Sequence, residues 1–185
     1  MNATRRLIDV SHTIEHGQVT YKGLPAQVIS PHVTREASRA SYAPGTEFLI
    51  AKIEMIANTG TYLDSSFHRY AEGKDLADLP LAAVADLDCV VARVLARHER
   101  AIDRLPLAES DVRGRAVLVG IDSLNIDGTD GRERPVHSTL LAHDVPVVEH
   151  LCNLAGVPER GGRFFAVPAK VKAFPTFPVH AFVLV

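Results

Sequence analysis

Short apolar segments, several of them rich in β-branched residues, recur along this chain and limit its fold more than any other feature. Residues 48–56 and 116–122 have few polar breaks and predict buried strands, and residues 145–149 predict a shorter strand that ends on an acid. Helical signals are fewer: a proline begins residues 135–142, and residues 107–112 fit another short helix. Because strands outnumber helices and connections are short, we predict an α/β fold with a mixed sheet or a barrel-like β core, flanked by a few helices.

Length and punctuation predict the domain organisation. A chain of 185 residues is long enough to bury its own core, and it contains no long linker or internal repeat, so we expect a single domain over residues 1–185. Residues 16–46 are rich in Gly, Pro, Ser and Thr. We predict that this stretch is a loop-rich arm, placed to reach over a neighbouring subunit.

Charge and composition exclude several classes of partner. The formal net charge is −2 with both signs scattered, which argues against binding to nucleic acid or to an anionic membrane. No apolar run approaches the roughly 20 residues of a membrane-spanning helix, and the first residues lack the apolar stretch of a signal peptide. Cys89 and Cys152 are too few for a disulfide framework. We therefore expect buried thiols, a cytoplasmic location and a small-molecule substrate.

Residues 57–70 carry the pattern most suggestive of chemistry. In an extended chain Asn58, Tyr62 and Asp64 point to the same side, and Gly60 between them would leave that side open. A turn after Asp64 can bring His68 back towards it. A carboxylate and an imidazole that converge on an open face suit a divalent metal or a proton-transfer pair. The alternative is structural: the aspartate caps a turn, the histidine bonds a backbone carbonyl and the tyrosine packs.

The same segment resembles a known family. Residues 58–68 read NTGTYLDSSFH, and they align without a gap to the His-x-Gly-Thr-His-x-Asp-x-Pro-x-His segment of the cyclase and kynurenine formamidase family. Four positions match: Gly60, Thr61, Asp64 and His68. Asn58 and Tyr62 stand where the family has two metal-binding histidines, and Ser66 stands where it has proline.

The resemblance extends over nearly the whole chain. Residues 7–14 and 119–123 resemble the family's opening and central strands. His137, twelve residues before Glu149, matches the histidine and the glutamate that the family adds to its metal site. The resemblance implies an α/β fold with a barrel-like core, a homo-oligomer, and a zinc or manganese enzyme that hydrolyses the amide of N-formylkynurenine or a cyclic amide.

The substitutions reshape the expected site. Neither an amide nor a phenol replaces imidazole well on zinc, so we predict one divalent metal, held by Asp64, His137 and Glu149. We expect His68 to act as general acid and base. The remaining candidates have other roles: Tyr62 as a catalytic hydroxyl donor to a substrate oxygen, and Asn58, Arg69 and Asp122 as substrate-binding residues.

Two other readings of these residues stay open. In the first, the chain is a non-catalytic relative that keeps the fold and binds a small molecule or a partner, because loss of two metal-binding histidines can abolish hydrolysis. In the second, Asp64, His68 and Tyr62 carry out lyase or isomerase chemistry with no metal. The sequence does not name a substrate, and serine-hydrolase chemistry is poorly supported because no G-x-S-x-G motif is present.

Overall fold

The computed structural model describes residues 5–93, 116–128 and 132–185. The described residues form ten strands: β1 (Leu7–Asp9), β2 (Val28–Val33), β3 (Ile50–Glu54), β4 (Tyr62–Asp64), β5 (Leu87–Val90), β6 (Val119–Gly120), β7 (Val147–Glu149), β8 (Arg160–Phe165), β9 (Thr176–Pro178) and β10 (Phe182–Leu184). They also form two α-helices, α1 (Arg35–Ser38) and α2 (Pro135–Ala142), and four 3₁₀ turns (Arg39–Ser41, Ser66–His68, Leu81–Ala83 and Leu154–Gly156).

The strands form three sheets. One four-stranded antiparallel sheet has the order β1-β10-β8-β5, and the other four-stranded sheet has the order β6-β7-β4-β9. In the second sheet β4 is antiparallel to both of its neighbours, whereas β6 and β7 run parallel. Strands β2 and β3 form a separate antiparallel ribbon.

The two four-stranded sheets share one hydrophobic core. Leu63 and Val148 from the second sheet belong to the same buried cluster as Phe164 and Val183 from the first. Side chains alternate along a strand, so the residues on either side of Leu63 in β4 project from the opposite face. That face is the one on which α2 lies, since the helix contacts β7 and the 3₁₀ turn Ser66–His68.

The mixed α/β class with few helices is confirmed, but the barrel-like core is not. None of the three sheets formed by the described residues closes into a barrel. The two larger sheets meet through their apolar faces instead, and each ends in edge strands. The helix at residues 135–142 has its predicted bounds, with proline in the first turn, and β7 is buried as expected.

Two strands predicted to be buried are not. Residues 48–56 contain β3, but all five residues of that strand are exposed, and among the described strands β3 pairs with β2 alone. Within residues 116–122 only Val119 and Gly120 are a strand, half-buried and exposed respectively, at the edge of their sheet. The helix expected at residues 107–112 lies outside the described residues.

The structure also bears on the predicted arm, the two cysteines and the expected lack of a membrane-spanning helix. Residues 16–46 hold β2, α1 and the turn Arg39–Ser41 between irregular segments, while the single-domain organisation stays a prediction. Cys89 and Cys152 are free thiols, but each is only half-buried. Within the described ranges, no helix combines the length and the apolar character needed to cross a bilayer.

Candidate metal centre

Strand β4 places two polar side chains on the face opposite the core. Tyr62 and Asp64 are both completely buried, with Leu63 between them pointing into the core. In the sheet register Tyr62 lies opposite Glu149 of β7, and Asp64 lies opposite Thr176 of β9. Residues directly opposite each other on paired strands project from the same face. The sheet therefore gathers four polar side chains on one buried surface.

Helix α2 adds an imidazole to this surface. His137 lies in the first turn of the helix, and its side chain is 7% exposed. Its Nδ1 lies 2.6 Å from Oδ2 of Asp127, and the same carboxylate accepts the backbone N–H groups of Val136 and His137 at 2.8 and 3.0 Å. Asp127 thus holds the start of the helix and the imidazole ring together. With Nδ1 bound to the carboxylate, Nε2 faces the strands.

Three potential ligand atoms converge beside that nitrogen. Nε2 of His137 lies 3.7 Å from Oδ2 of Asp64 and 3.3 Å from Oε1 of Glu149. One ligand atom from each of the three residues falls within 4.8 Å of the other two. Two carboxylates and one imidazole form a donor set suited to a divalent metal ion.

The Asp64 carboxylate contains the one buried side-chain atom among these groups that lacks a hydrogen-bond partner. Its Oδ1 accepts a hydrogen bond from the Thr176 hydroxyl at 2.5 Å. Its Oδ2 is buried without a hydrogen-bond partner. An unpartnered buried carboxylate oxygen is costly, because burial removes water and nothing replaces it. The oxygen lies beside His137 and Glu149, where a cation would satisfy it.

Glu149 is held by two donors. Its Oε1 accepts the backbone N–H of Ile126 at 2.6 Å, and its Oε2 accepts the Tyr62 hydroxyl at 2.7 Å. Burial and the negative charge of Asp64 raise the pKa of Glu149 to about 7, against the effect of the two hydrogen bonds. Burial and the adjacent carboxylates also raise the pKa of Tyr62 far above its usual value, so its hydroxyl stays protonated and donates.

The charges around His137 favour its protonated form in the metal-free protein. Burial alone would lower the pKa of this imidazole, but the surrounding carboxylates of Asp64, Asp127 and Glu149 raise it to about 9. Burial would raise the pKa of Asp127, yet its hydrogen bonds from the helix and from the ring lower it. A proton on His137 therefore offsets part of the negative charge that a metal ion would otherwise neutralise.

His68 lies at the edge of the cluster. Its side chain is 35% exposed, and its Nδ1 is 3.7 Å from Oδ1 of Asp64 and 3.1 Å from Oγ1 of Thr176. The 3₁₀ turn Ser66–His68 brings it back, with the His68 N–H donating to the Ser65 carbonyl. Its ring centroid lies 6.1 Å from that of His137. An imidazole so placed can reach both the three-residue cluster and solvent.

The predicted site residues are thus mostly together. Asp64, His68, His137 and Glu149 meet as one cluster, and Asn58 lies against the Tyr62 hydroxyl. The Tyr62 hydroxyl, expected to face a substrate, is instead buried and bound to Glu149.

Three other expectations meet a different environment. Arg69 is exposed, with its guanidinium over the ring of Tyr70 and close to α2, and Asp122 is exposed after β6. Gly60 does not open the site: it has a φ of +65°, and a Cβ there would lie 2.9 Å from the side chain of Ile14. Its role is close packing in a left-handed conformation.

Sequence reasoning missed two residues of the cluster, Asp127 and Thr176. Each acts through the position of another side chain, and neither lies in the motif or at a spacing that metal ligands share. An aspartate eight residues before the helix proline is a weak capping signal at best. Thr176 could be found only from the pairing of β4 with β9.

Comparison with known proteins identifies the family of the chain. Residues 8–123 match the family model described as "Putative cyclase", which is more than half of the chain. The chain belongs to the cyclase family.

Relatives of this cyclase-family chain are recognisable over almost its full length. It is 26% identical to a kynurenine formamidase of Polaromonas naphthalenivorans, with 96% of this chain and 90% of the relative aligned. Isatin hydrolase A from Labrenzia aggregata has the same fold, with a TM-score of 0.69, 15% identity, and coverage of 98% and 94%. A structure described as a predicted metal-dependent hydrolase from Bacillus stearothermophilus matches with a TM-score of 0.65, 22% identity, and coverage of 98% and 99%.

Replacing Asp127 tests the support behind His137. In Asp127→Asn the amide would donate to Nδ1, which moves the ring proton to Nε2 and removes the lone pair that a metal needs. We expect zinc or manganese affinity to fall by about 10- to 100-fold, measured by competition with a chromophoric chelator. Asp122→Asn, at an exposed position, is the matched control and should bind like wild type. Equal affinities in the two variants would contradict the role of Asp127.

Metal binding should depend on pH in a defined direction. His137, with a pKa of about 9 in the metal-free protein, must lose a proton to bind a metal, and Glu149, with a pKa of about 7, must lose one at lower pH. Affinity should therefore rise about tenfold per pH unit from pH 7 to 9, and more steeply below pH 7. Chelator competition across this range, corrected for the chelator's own protonation, measures the slope. An affinity independent of pH would rule out these ligands.

Proposed function

We propose that this cyclase-family chain is a metal-dependent hydrolase of an amide or cyclic amide. The observation that carries the proposal is the buried, unpartnered Oδ2 of Asp64, which lies 3.7 Å from Nε2 of His137 in a cluster completed by Glu149. Such a donor set, with a reactive imidazole at its exposed edge, is the minimum that hydrolysis at a metal centre needs.

The relatives narrow the reaction to carbon–nitrogen bonds. A kynurenine formamidase and an isatin hydrolase, by their names, act on a formamide and on isatin. Isatin is a cyclic amide, so both substrates present an amide carbonyl to water. We propose the same reaction type here, with a small-molecule substrate whose identity is open between open-chain formamides and cyclic amides.

We propose one divalent ion, zinc or manganese, per chain. Asn58 and Tyr62 occupy the two motif positions that hold metal-binding histidines in the family pattern. The Tyr62 hydroxyl already donates to Oε2 of Glu149, and its raised pKa keeps the proton in place. A neutral phenol and an amide are weak ligands, so these two positions offer no adequate site for a further ion.

The residues divide the chemistry between them. A divalent ion held by Asp64, His137 and Glu149 would supply an acidic bound water and would polarise a carbonyl oxygen. His68 is placed to accept a proton from the attacking water and to return it to the leaving nitrogen, since it borders both the cluster and solvent. Tyr62 and Asp127 act by holding Glu149 and His137 in place. Arg69, exposed beside α2, and Asn58 are proposed substrate contacts, and the substrate role of Asp122 stays a prediction.

The metal-free alternative fits less well. It uses Tyr62 as an acid or base with Asp64 and His68. The hydroxyl of Tyr62 is completely buried, donates to Glu149 and has a strongly raised pKa, so it cannot exchange a proton with a substrate at ordinary pH. A non-catalytic relative is the remaining alternative, and it is an outcome of the experiment that follows.

The decisive experiment combines metal counting with a substrate screen. The protein is stripped, reloaded with zinc or manganese, counted by mass spectrometry and assayed against formamides, lactams and cyclic imides. We expect about one ion per chain and hydrolysis of at least one class. Asp64→Asn should remove the ion while the protein stays folded. His68→Gln should keep it and lower kcat by about 10²- to 10⁴-fold.

Each outcome has a distinct meaning. A folded wild type that retains no ion after reloading contradicts the metal centre. One bound ion with no hydrolysis across the screen favours the non-catalytic relative. Activity that survives chelation but is lost in Asp64→Asn would restore the metal-free alternative. A Ser138→Ala variant, altered beside the cluster but in none of its ligands, serves as the control for handling and folding.

We further propose a cytoplasmic homo-oligomer in which the ribbon of β2 and β3 contacts a second copy of the chain. The free cysteines are consistent with a reducing compartment. A two-stranded ribbon is marginally stable by itself, and an exposed apolar patch commonly marks an interface. The ribbon and the residues before β3 expose several large apolar side chains: Val28, Ile29, Phe48, Leu49, Ile50 and Ile53.

Charge placed on the ribbon tests this interface. Ile29 and Ile53 are direct cross-strand partners, so Ile29→Lys with Ile53→Lys puts two like charges at one point of the patch. We expect the wild type to be at least a dimer by light scattering after size exclusion, and the double variant to be a monomer. Val167→Lys, exposed outside the ribbon, is the control. A monomeric wild type, or a variant of unchanged mass, would contradict the proposal.

A further inference from the structure

Thr176 contacts both Asp64 and His68 of the motif segment. It is 1% exposed and lies opposite Asp64 in the register of β4 and β9. Its Oγ1 lies 2.5 Å from Oδ1 of Asp64 and 3.1 Å from Nδ1 of His68. The direct separation of Nδ1 from Oδ1 is 3.7 Å, which is too long for a hydrogen bond. The threonine hydroxyl is therefore the bridge between the carboxylate and the imidazole.

The number of hydrogens available at this bridge fixes which group donates in each of its two hydrogen bonds. A threonine hydroxyl carries one hydrogen, and an ionised carboxylate only accepts. A metal ligand takes the ionised form, so the single hydrogen of Thr176 must go to Asp64. The remaining contact, between Nδ1 of His68 and the hydroxyl oxygen, then needs a hydrogen from the imidazole. In a neutral ring this places the hydrogen on Nδ1 and the lone pair on Nε2.

We propose that Thr176 is a positioning residue that selects the Nδ1–H tautomer of His68 and so makes Nε2 its basic nitrogen. By occupying Oδ1 of Asp64, the same hydroxyl also leaves Oδ2 as the oxygen that faces His137. One side chain thus determines both which nitrogen of His68 is basic and which oxygen of Asp64 faces the proposed metal. The catalytic consequence rests on the proposed hydrolase function, whereas the tautomer depends only on the ionised Asp64 carboxylate and its contact through Thr176 with His68.

The arrangement also explains how His68 can carry a positive charge transiently. When Nε2 accepts a proton, Nδ1–H stays bound to the threonine oxygen, and the carboxylate of Asp64 lies 3.7 Å away to offset the charge. Histidine bases are commonly oriented in this way by an acceptor on the other ring nitrogen. Here the acceptor is the neutral hydroxyl of Thr176. His68 therefore takes neither oxygen of the Asp64 carboxylate, and Oδ2 remains available for a metal.

Nitrogen NMR of the imidazole rings tests the tautomer without an assay. Histidine-labelled wild type is measured in the metal-free and zinc-loaded forms at a pH where the His68 ring is neutral, with its signals assigned by their loss in His68→Gln. We expect Nδ1 to be the protonated nitrogen in the zinc-loaded protein. Thr176→Val, which keeps the shape and removes the hydroxyl, should abolish this preference. Thr176→Ser should restore it.

Kinetics give the second readout. Thr176→Val should lower kcat by about 10- to 100-fold with little change in KM, and Thr176→Ser should recover most of the loss. Wild-type His68 protonated on Nε2 overturns the proposal, whether or not any variant folds. So does an unchanged Nδ1–H tautomer in a folded Thr176→Val. A tautomer that responds as expected, in a protein that hydrolyses nothing, upholds the role of Thr176 and refutes the hydrolase function instead.

Discussion

The carboxylate of Asp64 is the group on which the rest of the site depends. It is completely buried on the middle strand β4, where one oxygen is bound by Thr176 and the other has no hydrogen-bond partner. A buried charge of this kind costs several kcal/mol unless a cation or donor compensates for it. The sheet register places Glu149 on the same face, and α2 places His137 above it. The fold thus buries negative charge at a point where a divalent ion would compensate for it.

Asp127 and Tyr62 hold two of the candidate metal ligands in place. Asp127 holds the imidazole of His137 through Nδ1, and Tyr62 holds Glu149 through one carboxylate oxygen. These contacts leave Nε2 of His137 and Oε1 of Glu149 facing each other beside Asp64, although Oε1 also accepts the Ile126 N–H. Tyr62 stands at a position where the family pattern has histidine, and its hydroxyl donates to the Glu149 carboxylate. A single metal, with the phenol orienting one of its ligands, is the proposed variation on the family's site.

The sequence predicted the arrangement of residues 58–68 better than it predicted the overall architecture. Alternation along residues 58–64 and the turn that returns His68 depend on local geometry, so they could be inferred from residue type and spacing. The pairing of His137 with Glu149 came from family resemblance. The exposure of β3, the short β6 and the absence of a closed barrel among the described strands depend on which strands pair across the chain. Asp127 and Thr176 were missed for the same reason, because only the folded sheet brings them to the cluster.

The central claim is that Asp64, His137 and Glu149 together bind one divalent ion. The most direct measurement is an anomalous-scattering map of a crystal of the zinc- or manganese-loaded protein, recorded on both sides of the metal's absorption edge. The account predicts one peak per chain, bonded to Oδ2 of Asp64, Nε2 of His137 and Oε1 of Glu149. An ordered, folded site with no peak, or a peak held by other side chains, would contradict it.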